Sequence, residues 1–133
     1  MLIRHLFLPL LTVIILHGSA WASDCVKYGV QVEISGFYGE VVFPGPPNYE
    51  NVRAGDASET ASFLFLENAI CISAGGDEME LAIASTRVIQ LSCPSYIIGL
   101  LRDAAGKLSK VRGSLFAAHT AHHRTSALIA CGD

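Results

Sequence analysis

Thr86-Arg87-Val88-Ile89-Gln90-Leu91-Ser92-Cys93 runs directly into Pro94, and beyond it stand Ile97, Ile98, Leu100, Leu101 and Gly106. The first eight residues are rich in β-branched side chains and read as a strand. Ser92 or Cys93 precedes a short helix, Pro94 suits its first helical position, and Gly106 suits its C-terminal cap. Ile97, Ile98, Leu100 and Leu101 make one apolar stripe at helical spacing, which predicts a single buried face. The chain therefore places a short helix directly after a strand. The fold depends on what lies to either side.

Upstream, Val30, Val32 and Ile34 alternate with Gln31, Glu33 and Ser35, the pattern of a half-buried strand that continues to Phe43. Gly36 and Gly39 interrupt it where a barrel strand bends or bulges. Thr60 to Ile72 is a second strand, and its consecutive Phe63, Leu64, Phe65 and Leu66 predict cover on both faces. Gly75-Gly76-Asp77-Glu78 is a turn, and Glu78 and Glu80 read as a solvated edge. Downstream, Val111, Gly113 and Leu115 alternate in a fourth strand, and Ser126 to Cys131 forms a fifth. Strand-strand-strand-helix-strand-strand is the order of an OB-fold. The expected fold is mainly β: an OB-like five-stranded Greek-key barrel with one short helix between strands three and four.

Between the first two strands lies Pro44-Gly45-Pro46-Pro47-Asn48-Tyr49-Glu50, continuing to Gly55-Asp56. Three prolines remove three amide donors, so residues 44–58 form a long loop outside any sheet interior. Loops of this length are commonly functional. Prolines and a tyrosine make it stiff and amphipathic, a surface that loses little entropy on binding. Asn48, Tyr49, Glu50 and Asp56 are its candidate ligand contacts.

The N-terminus carries an address. Arg4 and His5 precede an apolar run from Leu6 to Leu16, and Ala20-Trp21-Ala22 is a small-x-small cleavage site. Residues 1–22 therefore read as a signal peptide, with cleavage after Ala22, and residues 23–133 as a single domain. The apolar run spans about 16 Å as a helix, half of a ~30 Å hydrocarbon core, so no membrane anchor is expected after cleavage. A lipoprotein reading would use Cys25, but the residues before it do not suit such a site. The 133-residue chain has a mean hydropathy of +0.43, and the leader supplies much of that value. The expected location is periplasmic or secreted.

Beyond the leader stand 8 basic and 12 acidic residues, a net charge of −4, with no basic cluster. This disfavours a nucleic-acid partner, which would need a basic stripe. Cys25, Cys71, Cys93 and Cys131 all lie in the exported part, and an even count there predicts two disulfides. Three pairings are possible, and spacing does not choose among them. Cys25 with Cys71 and Cys93 with Cys131 is the one expected. No close Cys-x-x-Cys pair supports a four-cysteine zinc site.

Every histidine of the exported part lies in Leu115-Phe116-Ala117-Ala118-His119-Thr120-Ala121-His122-His123-Arg124-Thr125. His119, His122 and His123 stand at i, i+3 and i+4, a spacing that converges on one metal ion if the loop is helical. Zinc, copper or nickel would suit such a set. The other reading has the histidines bonding loop carbonyls and packing on Tyr49 or Phe116. Ser114, Thr120 and Thr125 neighbour them, but there is no Gly-x-Ser-x-Gly elbow and the cysteines are expected in bridges. No enzyme is expected.

The sequence Phe43-Pro44-Gly45-Pro46-Pro47-Asn48-Tyr49-Glu50, the pair Gly55-Asp56, the runs Ala69-Ile70-Cys71-Ile72 and Ile89-Gln90-Leu91, and Gly113 to Thr125 resemble a family of short exported bacterial proteins, the domain-of-unknown-function family 4431. Its last motif usually reads Gly-His-His-His-Thr, whereas here Ala121 replaces the glycine and Arg124 the third histidine. The resemblance implies a Gram-negative periplasmic or secreted setting and brings no activity with it. The expected function is that of a binding module. Its 44–56 and 117–125 loops would contact an envelope protein, a peptide or a glycan. The alternative is a metal-binding protein using His119, His122 and His123.

Overall fold

The computed structural model describes residues 24–132. The expected leader and its cleavage site lie outside them. Six strands and one helix follow in the order β1 (Val26–Lys27), β2 (Gln31–Pro44), β3 (Ser58–Ser73), β4 (Ile83–Ser92), α1 (Ser95–Asp103), β5 (Leu108–Ala117) and β6 (Ala127–Cys131). The chain is mainly β, as expected. The strand count is six rather than five, because Val26–Lys27 pairs in parallel with Ile72 and Ser73.

Hydrogen bonding runs β1-β3-β2-β5-β6-β4, and a further pairing of β3 with β4 joins the last five strands into a ring. All pairings around the ring are antiparallel except β4 with β6, whose short contact matches Gln90 to Leu128 and Ser92 to Ala130. β2 is long enough to serve two neighbours. It pairs with β5 from Gln31 to Phe37 and with β3 from Gly36 to Pro44. At the crossover Gly36 lies so close to β3 that a Cβ would sit 2.6 Å from the Phe65 carbonyl oxygen. Gly113 of β5 approaches β6 more closely still, its would-be Cβ 2.1 Å from the Ala130 carbonyl oxygen.

The ring encloses Ile34, Tyr38, Leu64, Leu66, Ile89, Leu91, Val111, Leu115 and Ile129, each at most 8% exposed. α1 adds Leu101, with Ile97 and Ile98 packed against the same cluster. The expected helical stripe is narrower than its sequence suggests, because Leu100 points outward at 67% exposure. The helix begins at Ser95, so Pro94 precedes it and does not occupy its first turn. It stops at Asp103, and Gly106, at φ +82°, turns the chain toward β5 instead of capping the helix. Two further expectations are corrected. Phe65 is 43% exposed, so the Phe63–Leu66 run is not covered throughout, and Val30 is 50% exposed ahead of β2.

Two disulfides fasten this frame with the expected pairing, Cys25–Cys71 and Cys93–Cys131, each with Cα atoms 4.7 Å apart. The first ties the short β1 segment to β3. The second joins the ends of β4 and β6, the least paired neighbours in the ring.

Beyond the ring, β2 and β3 continue as a two-stranded ribbon. Residues 38–44 of β2 pair with β3 alone, and residues 58–62 of β3 pair with β2 alone. This ribbon carries the proline-rich loop.

Candidate functional site

Alternation along each strand puts Phe63, Gln90, Leu128 and Phe116 on the outer face of the ring, since Leu64, Ile89, Ile129 and Leu115 beside them point inward. Register makes the four cross-strand neighbours, Phe63 to Gln90, Gln90 to Leu128 and Leu128 to Phe116. Phe63 and Leu128 are only 4% and 1% exposed although they face outward. The histidine loop, between β5 and β6, lies against Gln90 and Phe116 of this row, while Phe43 and Phe65 flank Phe63.

Gln90 fastens that loop from the centre of the row. Its Nε2 donates to the His122 carbonyl at 2.9 Å, its Oε1 accepts from the Arg124 amide, and its own amide donates to Thr125 Oγ1. Thr125 Oγ1 in turn donates to the Ala127 carbonyl. A buried amide side chain satisfied on both ends is strongly anchored, because releasing it would strand its buried partners.

The three histidines divide between two places. His119 and His123 pack edge to face with ring centroids 4.6 Å apart, and both lie against Phe116. His119 Nδ1 stands 3.0 Å from the Ala117 carbonyl, which can only accept, so Nδ1 carries the proton. His123 Nδ1 accepts from the His119 amide at 3.0 Å. Burial, and then the neighbouring His119 and His122, push the His123 pKa below the usual imidazole range. His122 turns the other way. Its Nδ1 lies 2.7 Å from Glu59 Oε2 and its Nε2 3.3 Å from the Tyr49 hydroxyl. The three rings thus do not converge on one point, and no group of three His, Cys, Asp or Glu side chains among the described residues stands close enough to hold a metal ion.

The proline-rich loop is fixed from below by Asp56, only 6% exposed. Asp56 Oδ2 accepts the amides of Glu50 and Asn51 at 2.8 Å, and Oδ1 that of Asn48 at 2.9 Å. These bonds, that from Asn51 foremost, hold its carboxyl below the ordinary aspartate range. Asn51 caps the short 3-10 turn Val52–Ala54 through its side chain, and Gly55 closes that turn at φ +111°. Both oxygens of Asp56 are therefore committed to the loop's own backbone, while Asn48 and Glu50 keep exposed side chains. Tyr49 adopts φ +61°, an uncommon conformation for an aromatic residue, and its ring meets His122 edge-on at 5.5 Å.

Arg124 locks the two loops together. Its guanidinium lies 4.7 Å above the Phe43 ring and 5.8 Å from that of Tyr49. It donates to the Pro44 carbonyl at 2.9 Å and stands 3.6 Å from Glu59 Oε1. Glu59 thereby faces His122 with one oxygen and Arg124 with the other. Sequence reasoning did not reach Glu59, Gln90, Phe43 or Arg124 as site residues. The signals were the places of Phe43 and Gln90 within the quoted motifs and the departure of Arg124 from its own. The expected packing of the histidines on Tyr49 and Phe116, with a bond to a loop carbonyl, is what the loop displays.

Residues 89–130 match a domain of unknown function, DUF4431. The matched stretch runs from Ile89 in β4 through α1 and β5 to Ala130 in β6. The family resemblance of the sequence is supported over this part. The DUF4431 stretch holds Gln90, the three histidines and Arg124, while Tyr49, Asp56 and Glu59 come from the chain before it. No curated protein and no solved structure matches the chain.

Proposed function

We propose that this chain is an exported, disulfide-bonded binding module built on an OB-like Greek-key barrel. It would contact a protein, peptide or glycan of the cell envelope through one composite surface, formed by the 44–56 and 117–125 loops. The observation that carries the reading is the joining of the two loops: Tyr49 to His122 to Glu59 to Arg124 to Pro44. Side chains more than 70 residues apart in sequence are held in one arrangement before any partner arrives. Preorganisation of this kind lowers the entropy cost of binding. Asn48, Tyr49, Glu50, His119, His122 and His123 are the contact residues of this reading, with Asp56 keeping the loop in shape.

The barrel reading is supported by the β3-β2-β5-β6-β4 ring, its single parallel contact and the helix between β4 and β5. In an OB-fold the loops after the first strand and before the last flank the ligand face. Those are the two loops in question. Export fits two disulfides, which oxidising compartments preserve. No helix among the described residues is long and apolar enough to cross a membrane.

The carboxylate–imidazole–phenol chain has the order of a nucleophile with its base and orienting group. In the present reading it is a clamp and the protein is not an enzyme. The test places a photo-crosslinking side chain at Asn48 in the exporting cell. A discrete adduct that disappears with both Tyr49→Ala and His122→Ala supports the surface. If both variants fold and give the same adduct as the parent, the composite surface is not the binding site.

A further inference from the structure

His123 holds the start of the histidine loop through one ring nitrogen. Its Nδ1 accepts from the His119 amide at 3.0 Å, and both rings lie against Phe116. An imidazole nitrogen that accepts carries no hydrogen, so neutral His123 keeps its proton on Nε2. In the imidazolium both nitrogens are donors, and a ring flip presents N–H to N–H whichever way it turns. His123 therefore cannot charge in place. His119 differs, since its Nδ1 donates to the Ala117 carbonyl and a proton added at Nε2 leaves that bond intact.

The surroundings of the ring also oppose a charge on it. Burial acts first, then His119 and His122, and all three favour the neutral form. His122 turns its Nδ1 to Glu59, and the Arg124 guanidinium lies over Phe43. From the β3–β4 turn, Asp77 and Glu80 line a cavity with His119 and Phe116. Both are engaged within their own turn: Asp77 Oδ1 accepts the Met79 amide at 2.8 Å, and Glu80 Oε2 the Asp77 amide at 3.3 Å. The stability that the closed ring contributes is thus complete above the ordinary imidazole value of about 6.5. It is lost as pH falls from there through the lower closed value.

Two anchors confine the effect. The Ala118 amide donates to the Ser126 carbonyl at 3.0 Å, and Gln90 holds the His122 carbonyl and the Arg124 amide. We propose that residues 119–121, between these anchors, form an acid-released flap: a proton on His123 removes the acceptor of the His119 amide, and the segment lifts from Phe116 while the rest of the loop stays in place. Opening uncovers Phe116 and takes His119 out of the composite surface. His122 keeps Glu59 when it too is charged, because its Nδ1 already faces that carboxylate. The release is a property of the loop itself, and only its consequence for a partner rests on the binding-module reading.

The experiment follows ring and amide resonances of the isotope-labelled, disulfide-bonded protein, with no ligand added, between about pH 8 and about pH 5. His123 should titrate below the ordinary value of about 6.5, and exchange protection of the His119 amide should fall by up to about tenfold per pH unit over that interval. The amides of Leu64 and Ile129, inside the ring, should keep their protection. His123→Asn supplies a non-titrating acceptor in place of Nδ1 and should hold the His119 amide throughout. Four results would each overturn the proposal: a His123 midpoint at or above the ordinary value, constant His119 protection while His123 titrates, the same acid release in His123→Asn, or exchange of Leu64 and Ile129 together with His119. None of them bears on the Asn48 crosslink, so the flap and the binding surface fail separately.

Discussion

Asp56 holds the proline-rich loop with a carboxylate that accepts three main-chain N–H groups. Only the ionised form accepts all three well, so its folded pKa lies below the unfolded value. The stability it contributes is therefore complete above an unfolded pKa of about 3.9 and is lost as pH falls through the lower folded value. Asp56→Asn should lower the melting temperature at neutral pH and flatten its decline in acid, as read by thermal melts across a pH series. Tyr49 poses a second question at this scale. Its φ of +61° costs an L-residue about 1 kcal/mol, which only glycine escapes. Tyr49→Gly should accordingly be about 1 kcal/mol more stable than Tyr49→Ala in urea denaturation, although both lose the ring against His122. The motif was legible in the sequence as a stiff loop with Tyr49 and Asp56 in it. That Asp56 would serve the loop itself was not, because the chain must fold back eight residues to bring it under the Asn48 amide.

Among the elements, β5 and β6 make the most demanding contact. Gly113 sits mid-strand with the Ala130 carbonyl where a side chain would begin. Gly113→Ala should destabilise by roughly 2–3 kcal/mol and loosen the β5–β6 ladder first, visible as faster amide exchange in residues 113–117 and 127–131. The strands themselves were readable from alternation and β-branched content, and their ends agree with the expectation to within a few residues. α1 was readable as a helix, but its buried face was not, since four apolar residues over five positions define two overlapping stripes. Only docking against the core selects Ile97, Ile98 and Leu101 and leaves Leu100 outside. The parallel β1 strand carried no signal. Two residues have no periodicity, and the Cys25–Cys71 bond and the neighbouring β3 edge make that strand.

At the scale of the whole molecule, the disulfides close loops that the sheet alone closes weakly. β4 and β6 share only a short parallel contact, and Cys93–Cys131 fixes its end. Closing a 38-residue separation removes denatured-state entropy, equivalent to about 4 kcal/mol. Replacing both Cys93 and Cys131 with alanine should therefore lower unfolding stability by roughly 2–5 kcal/mol, measured by urea denaturation under non-reducing conditions. The Cys25–Cys71 bond ties down a peripheral strand, so its loss should first free residues 24–27 and leave the ring paired, as amide exchange would show.

The sequence by itself determined the strand-rich class, the position of the helix, the two loops that meet and the number of disulfides. These are local or compositional properties: alternation, turn chemistry and cysteine count can be read one segment at a time. The tertiary structure alone decided that the histidines separate. Gln90, from a different strand, fixes the loop backbone, so His122 turns toward Glu59 and Tyr49 while His119 and His123 fall onto Phe116. It also decided that β2 outruns β5, so that residues 38–44 pair with β3 and not with β5. Both outcomes depend on which residues lie opposite one another, and the strand register that sets this is fixed by packing across the whole sheet.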